Sequence, residues 1–345
     1  MGTPLKLCIL RLSAIGDVCH AAAMVHAIQR HRPDIEITWI VGKVEHSLLS
    51  GMAGVRFIVY DKNGGSQAKQ ALQAALGDTL FDVLFIMQVA LRANILSRLI
   101  KAKERVGFDW HRSKEGHWLF ANRRIAPRKY AHVLEGFMGF AESLGVPPLE
   151  KPQWQIPVPP DDITWMQTQI APLGEYAVIS PAASKAERNW LPERYAAIVD
   201  YLHQQGLAVV MCGGPGKVDK EISQAIEAHS AHLSVNLVGK TSLKQMLAVL
   251  SKARMVIAPD TGPAHMATTQ GVPVIGLYAH SNPRRTGPYL SQNTTVSVYD
   301  EVIKSQTGKD WRKLPWGKRA KGSDLMEKIT VQAVKSQIQR ILHNM

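Results

Sequence analysis

The chain has 345 residues, enough for two domains, and 46% of them are hydrophobic, enough to fill two cores. No run of about 18 apolar residues occurs, and Lys6 and Arg11 interrupt the apolar start of the chain, so we expect neither a membrane span nor a signal peptide and predict a cytoplasmic location. The three cysteines, at positions 8, 19 and 212, are too few and too scattered for a disulfide framework or a zinc site.

The first half of the sequence alternates short apolar runs with helical periodicity. Apolar residues recur at helical spacing between Val18 and Ile28, which predicts a helix over 18–30 directly after a strand over 7–11. We predict further strands over 36–41, 56–59, 83–87 and 105–106, and further helices over 67–75, 93–100 and 133–144. Such alternation indicates a parallel sheet with right-handed crossovers.

Prolines crowd the segment 147–160, and we place a domain linker there. The second half repeats the plan, with predicted strands over 176–180, 208–212, 235–237, 255–258, 274–277 and 295–298. Its predicted helices include 194–205, 217–228, 243–251 and a last helix over 331–342. The sequence therefore predicts an α/β protein with one domain over 1–155, a second over 160–330 and a terminal helix within 331–345.

Polar residues follow two of the predicted strands. The strand over 255–258 runs directly into a helix start that holds Asp260, Thr261, Gly262 and His265. Free N–H groups and the positive end of a helix form an anion site, so this segment predicts a nucleotide-diphosphate pocket. Open α/β sheets bind ligands at the carboxyl ends of their strands, which places Asp17, after the first strand, in a cleft as well.

Three further loops are candidates for phosphate-binding sites. The loop after the strand over 176–180 carries a hydroxyl and two cations, Ser184, Lys185 and Arg188. Two cations and a hydroxyl just beyond the carboxyl end of a strand suit a pyrophosphate. Gly213-Gly-Pro-Gly216 lacks the spacing of a dinucleotide loop and Gly239-Lys-Thr241 lacks the first glycine of a Walker A motif, so we predict neither an NAD site nor an ATPase.

The net charge of +13 is concentrated in two segments. Residues 92–129 hold eleven Lys and Arg against three acids, and residues 302–322 hold seven against one. Such segments attract phosphate-rich partners, and the alternative without a partner is an ordinary solvated basic surface. The phosphate-rich candidates are nucleic acid, for which no recognition motif is present, and an anionic membrane surface that bears an acidic, phosphorylated acceptor.

Three motifs, in order along the chain, resemble those of the lipopolysaccharide heptosyltransferases, glycosyltransferase family nine. They are Leu10-Arg-Leu-Ser-Ala-Ile-Gly-Asp-Val18, Arg188-Asn-Trp-Leu-Pro192 (with one extra residue before the proline) and Asp260-Thr-Gly-Pro-Ala-His265. The resemblance covers almost the whole chain and is closest to heptosyltransferase I acting on Kdo-lipid A. It implies a GT-B type fold, in which two Rossmann-like domains with parallel sheets face a central cleft and the last helix crosses back to the first domain.

The resemblance also implies a reaction. Heptose would pass from ADP-L-glycero-D-manno-heptose to Kdo of the lipopolysaccharide inner core in a single inverting displacement, with Asp17 as the general base. The enzyme would work peripherally on the cytoplasmic face of the inner membrane, and the membrane interpretation of the basic segments is favoured over nucleic acid. No cofactor or metal is expected, in agreement with the absence of an Asp-x-Asp triplet. The alternatives are a heptosyltransferase acting on a later core sugar and a sugar-nucleotide epimerase of the same fold.

The site residues divide between donor and acceptor. The predicted donor-binding residues are Ser184, Lys185, Arg188, Gly214, Asp260, Thr261, Gly262 and His265. An acid beyond the Gly213–Gly216 loop would contact the ribose, and both Asp219 and Glu221 fit this role. The predicted acceptor-binding residues are Ser13, Gly16, Arg92, Arg105, Arg112 and Lys114.

Overall fold

The structure is a computed structural model that describes residues 4–148 and 151–343. The chain divides into two compact units, Met1–Pro157 and Val158–Met345. This division falls inside the proline-rich segment 147–160. None of the helices in the described part of the chain is long and apolar enough to cross a membrane.

The first unit is a parallel sheet with helices between its strands. Its strands are β1 (Leu5–Leu10), β2 (Ile35–Gly42), β3 (Val55–Tyr60), β4 (Phe81–Ile86), β5 (Ala102–Gly107) and β6 (Arg123–Arg124). Its helices are α1 (Ile15–His31), α2 (Lys43–Leu49), α3 (Gly65–Leu76), α4 (Leu91–Ser97) and α5 (Val133–Glu142). A short 3-10 turn covers His117–Leu119.

The strand order of the first sheet is β3-β2-β1-β4-β5-β6, and every pairing is parallel. Strand β1 lies in the middle of the sheet, and its residues from Leu7 to Leu10 are fully buried. A strand covered on both faces needs apolar residues on both, which explains its unbroken apolar run. Helix α5 begins with a capping box in which His132 accepts from the N–H of Leu134 and Glu135 accepts from the N–H of His132.

The second unit repeats this architecture. Its strands are β7 (Tyr176–Ile179), β8 (Ala208–Met211), β9 (Val235–Asn236), β10 (Met255–Pro259), β11 (Val274–Tyr278) and β12 (Val296–Ser297). Its helices are α6 (Pro160–Ile170), α7 (Pro192–Gln204), α8 (Lys217–His229), α9 (Leu243–Ser251), α10 (Gly262–Thr269), α11 (Pro283–Thr286), α12 (Tyr299–Thr307) and α13 (Val331–His343). Helix α13 packs on α7 and on the β11–β12 side of its own unit.

The second sheet is also entirely parallel, with the order β12-β11-β10-β7-β8-β9. Strands β7, β10 and β11 are buried along their whole length. The prediction of two parallel α/β sheets is therefore confirmed. The predicted roles of the two halves in acceptor and donor binding, and the return of the last helix to the first half, stay predictions.

The observed elements differ from the predicted ones mainly in extent. Strand β5 has six residues instead of two, because Lys103, Glu104 and Arg105 hide the apolar signal of a partly exposed strand. Helices α2, α6 and α12 were not predicted, and α2 is only seven residues long, too short for a periodicity to emerge.

All three cysteines are buried free thiols, and burial raises the pKa of Cys212 to about 12.

Candidate active site

Each sheet has one point at which its strand order reverses direction. In the first unit the reversal lies between β1 and β4, and in the second it lies between β7 and β10. Loops that leave two such strands at their carboxyl ends diverge and open a crevice, where ligands of open α/β sheets bind. Asp17 follows β1, whereas Arg188 and Asp260 follow β7 and β10, so predicted site residues stand at both reversals.

Asp17 is the third residue of α1 and forms an ion pair with Arg11. Its Oδ2 contacts Nη2 of Arg11 and accepts a hydrogen bond from the N–H of Ala14 at 3.2 Å. The carboxylate remains 33% exposed, whereas the Arg11 side chain is only 11% exposed. Asp17 is therefore positioned from one side by the protein and open on the other, which a group that must meet a substrate requires.

Arg11 is the residue at this site that the sequence analysis did not select. Its Nη1 donates to the carbonyl of Met87, just beyond β4, and its guanidinium lies 5.3 Å from the ring centroid of Phe137. The loops after β1 and β4 are joined a second time, because the N–H of Leu12 donates to Oε1 of Gln88 at 2.9 Å. The sequence signal that could have identified Arg11 is its position directly after an apolar strand.

Ser13 and Gly16 belong to the same turn. Ser13 is half-buried in the loop between β1 and α1, and Gly16 is the second residue of α1. Both therefore lie within a few residues of Asp17. Their role in acceptor binding stays a prediction.

Arg188 and Asp260 meet at the carboxyl edge of the second sheet. Nη1 of Arg188 lies 3.4 Å from Oδ2 of Asp260 and donates to the Asp260 carbonyl at 3.3 Å. Both side chains are 14% exposed, so the pair is shielded from water on most sides. This fixes a guanidinium at the strand-order reversal, where it can stabilise negative charge on a bound diphosphate.

Two residues beyond β11 complete the surroundings of Asp260. The hydroxyl of Ser281 donates to Oδ2 of Asp260 at 2.8 Å, and the hydroxyl of Tyr278 lies 3.5 Å from Oδ1. Burial, followed by the charge of Asp260, raises the pKa of Tyr278. Asp260 was predicted to bind the donor, which stays a prediction; its carboxylate is engaged by three side chains of its own unit and orients Arg188.

The other predicted residues of this edge occupy different environments. Thr261 stands at the N-cap position of α10, but its hydroxyl donates to the carbonyl of Ala182 and does not cap the helix. Gly262 begins α10, whose second residue is a proline, and His265 is buried in its first turns. Ser184 and Lys185 are exposed in the loop after β7, where Lys185 lies 3.9 Å from Glu187.

The two acids beyond the glycine loop are also distinguished by the structure. Oδ1 of Asp219 accepts from the N–H of Gly214 at 2.8 Å, so this carboxylate closes the loop between β8 and α8. A Cβ at Gly216 would lie 2.8 Å from Oδ2 of Asp219, which explains the glycine. Glu221 points away along α8 and pairs with Lys217, at 3.6 Å, as an exposed ion pair. Asp219 is therefore the better candidate for the ribose contact.

Arg105 does not stand at the end of its strand but within it, and its predicted role in acceptor binding stays a prediction. It lies inside β5, and its guanidinium donates to the carbonyls of Phe120, Ile100 and Ser97 and to the Ser97 hydroxyl, at 2.7 to 3.0 Å. Burial, together with the nearby charge of Arg98, lowers the pKa of Arg105. Arg105 thus joins α4 to the segment after the 3-10 turn and has little capacity left for a ligand.

The remaining predicted acceptor residues differ in exposure, and their role in acceptor binding stays a prediction. Arg92 and Lys114 are exposed, on α4 and in the loop after β5 respectively. Nε of Arg112 pairs with the buried carboxylate of Asp109 at 2.5 Å, which holds Arg112 in its turn. In the described ranges 4–148 and 151–343, no three His, Cys, Asp or Glu residues are grouped so as to hold a metal ion.

Comparison with known proteins decides the family. The profile of glycosyltransferase family 9 (heptosyltransferase) matches residues 70–320. The chain is 47% identical over 338 residues to the lipopolysaccharide core heptosyltransferase OpsX of Haemophilus influenzae, covering 98% of this chain and 97% of that protein. The chain belongs to glycosyltransferase family 9.

Solved structures show the same fold in family 9. The family 9 glycosyl transferase of Veillonella parvula superposes with a TM-score of 0.81 at 20% identity, covering 99% of this chain and 98% of that one. The heptosyltransferase WaaC of E. coli, solved with ADP, superposes with a TM-score of 0.74 at 22% identity, covering 98% of this chain and all of that one. Membership of family 9 makes the chain a glycosyltransferase and decides against the epimerase alternative. The name of the 47% identical relative gives no step number, so heptosyltransferase I is a finer assignment than these comparisons carry.

Proposed function

We propose that this chain transfers heptose from ADP-L-glycero-D-manno-heptose to Kdo of the lipopolysaccharide inner core, the reaction of a heptosyltransferase I. The observation that carries the choice of pathway is its 47% identity, along nearly the whole chain, to a lipopolysaccharide core heptosyltransferase. A cationic group at the strand-order reversal of the second sheet supports an ADP-sugar donor there. The basic segment 92–129 supports an acceptor rich in carboxylates and phosphates.

The proposed reaction is a single inverting displacement. Asp17 takes the proton of the acceptor hydroxyl while the hydroxyl oxygen attacks the anomeric carbon of the heptose. The bond between that carbon and the diphosphate oxygen breaks, and ADP leaves with the electron pair. Arg188, oriented by Asp260, stabilises the growing charge on ADP together with Lys185 and the N-terminal end of α10. Neither a cofactor nor a metal takes part in this proposal.

We place the enzyme in the cytoplasm, peripherally at the cytoplasmic face of the inner membrane, because ADP-heptose is a cytoplasmic donor whereas the acceptor is lipid-linked. A later core heptose is the second candidate. It is favoured by the name of the same relative, which specifies the core but not the Kdo acceptor.

Incubation with ADP-heptose and a purified acceptor tests the proposal. Kdo-lipid A should gain the mass of one heptose, with or without excess EDTA, and a core that already carries its first heptose should gain none. Transfer only to the heptosylated core would establish the second candidate. Loss of transfer in EDTA that magnesium or manganese restores would contradict the metal-free mechanism. Hydrolysis of ADP-heptose without transfer to either acceptor would overturn both candidates.

A further inference from the structure

One face of the first unit exposes large apolar side chains in an unusual concentration. Half of the ten exposed large hydrophobic residues in the described part of the chain lie between positions 91 and 119. They are Leu91 (48% exposed), Ile95 (50%), Trp110 (61%), Trp118 (45%) and Leu119 (61%). We call these five residues the α4–loop surface. Exposed apolar clusters of this kind mark interaction sites.

The α4–loop surface is held in place from beneath. Nε2 of the buried His117 accepts from the N–H of Phe108 at 3.0 Å, so its Nδ1 carries the proton and donates to Oδ1 of Asn94 at 2.8 Å. The N–H of Leu91 donates to Oε2 of Glu115 at 2.6 Å. These bonds join α4 to the loop after β5, so the two exposed segments form one preorganised surface.

Contacts within the surface leave its aromatic faces accessible. The rings of Trp110 and Trp118 lie 5.9 Å apart, and the Arg124 guanidinium lies 4.1 Å from the Trp110 ring centroid. The two tryptophans thus support each other and remain about half exposed. A pair of tryptophans flanked by cations is suited to the boundary between hydrocarbon and polar headgroups, where Trp is enriched in membrane proteins.

Cations surround these apolar residues. Arg92, Arg98 and Lys114 are exposed beside them. Arg98 stacks 5.0 Å from the Phe120 ring centroid, and among the described residues its guanidinium has no hydrogen-bonding partner. It borders an open depression of about 430 Å³ that Leu119 and Asn122 also line. A guanidinium at the mouth of a depression, next to an apolar residue, matches a lipid phosphate above its acyl chain.

We propose that the α4–loop surface docks on an anionic lipid bilayer, with Trp110, Trp118 and Leu119 in the interfacial region and Arg98 at a lipid phosphate. The inference rests on the proposed function for its lipid-linked acceptor, and it names the residues that bring the enzyme to the membrane. A second copy of this chain is a poor occupant, because the surrounding segment 92–129 carries a net charge of +8 and would repel itself.

Vesicle co-sedimentation tests the docking with the full chain and no substrate. Wild-type protein should bind vesicles that contain phosphatidylglycerol, bind phosphatidylcholine vesicles weakly, and show a blue shift of tryptophan fluorescence on binding. The double variant Trp110→Ser/Trp118→Ser should lose at least about ten-fold in apparent affinity, together with the blue shift. Arg98→Gln should lose about five-fold, the equivalent of about 1 kcal/mol for one cation near an anionic surface.

Two matched controls keep the test specific. Val59→Ser removes a valine that is 45% exposed on β3, the strand at the opposite edge of the sheet from β6, and is compared with Leu119→Ser. Lys69→Gln removes an exposed cation on α3, which packs near β3, and is compared with Arg98→Gln. Both controls should bind vesicles within about two-fold of wild type. Equal losses in control and surface variants, or unchanged binding in the surface variants, would overturn the proposal.

A second assay separates this inference from the proposed function. The Trp110→Ser/Trp118→Ser variant should transfer heptose to a deacylated Kdo acceptor as fast as wild type, yet more slowly to Kdo-lipid A in vesicles. If wild type fails with both acceptors, the proposed function fails while the vesicle result still decides the docking. If the variant transfers equally well to the vesicle-borne acceptor, the docking proposal fails and the function stands.

Discussion

Arg188 and Asp260 form a shielded ion pair at 3.4 Å, although 72 positions separate them in the sequence. Each therefore depends on the other for its orientation. We predict that Arg188→Ala and Asp260→Ala each impair use of ADP-heptose, and that the double variant is less impaired than the sum of the two free-energy losses. A coupling energy of about 1–3 kcal/mol is expected for residues in contact. Steady-state kinetics of the four proteins in a double-mutant cycle measures it, and additive losses would show that the pair acts as two independent groups.

The Asp17 carboxylate is open on one side and paired with Arg11 on the other. We predict that Asp17→Asn lowers kcat by about 10²- to 10⁴-fold, the usual contribution of a general base. The amide oxygen of Asn can still accept from the N–H of Ala14, so the start of α1 should persist. Calorimetry should find the affinity for ADP-heptose unchanged. A variant that retains more than about half of kcat would remove Asp17 from the mechanism.

Asp219 and Glu221 provide a matched pair on one helix. Asp219→Ala removes the carboxylate that accepts a hydrogen bond from the N–H of Gly214. Because this N–H then loses its partner, the loop should no longer be held in place, and ADP-heptose binding should weaken about ten-fold. Glu221→Ala breaks only an exposed pair with Lys217 and should change the affinity by less than about two-fold. Isothermal titration of both variants decides between them, and the reverse order would favour Glu221 at the ribose.

Arg105 and Lys114 should respond differently to neutralisation, although both were predicted to bind the acceptor. Arg105→Gln breaks hydrogen bonds to three carbonyls and a hydroxyl, and should destabilise the first unit by about 2–4 kcal/mol, measured by thermal unfolding. Lys114→Gln is exposed, so it should leave stability unchanged and raise KM for the lipid acceptor about five-fold. Equal stability of both variants would contradict the internal role of Arg105.

His117 should make the loop after β5 sensitive to acid. Burial, with a contribution from the charge of Arg124, lowers the pKa of His117 to about 4. Between this value and the unfolded value of about 6.5 the unfolded chain binds the additional proton, so stability falls as the pH falls and levels off below about pH 4. The loss should amount to about 3 kcal/mol at most, since one unit of pKa corresponds to about 1.4 kcal/mol.

Hydrogen exchange of the Phe108 amide, which donates to His117, measures the local part of this effect. Protection should decrease between pH 6.5 and pH 4 in wild type, after correction for the intrinsic exchange rate. It should depend less on pH in His117→Gln, whose side chain does not titrate. The same pH dependence in both proteins would assign the effect to another group.

The sequence by itself determined the two parallel α/β sheets. Their central strands, such as β1 and β10, are buried on both faces and appear as unbroken apolar runs between helical periodicities. It also placed Asp17 and Asp260 next to strand ends, where the chain direction alone brings loops to one edge of a sheet. Elements without a sustained pattern were missed or shortened: the short helix α2 was not predicted, and the charged strand β5 was predicted over only two of its six residues.

Only the tertiary structure decided what each polar side chain contacts. Arg105 and Lys114 look alike in a basic segment, yet one is bonded inside the fold and the other is exposed. Asp260 contacts Arg188 and Ser281, which lie on two other loops of the chain. No local sequence pattern indicates that these three residues come together. Hydrogen bonds and ion pairs act over about 3–4 Å, and distances of that size between remote residues are fixed only when strands pair and helices pack.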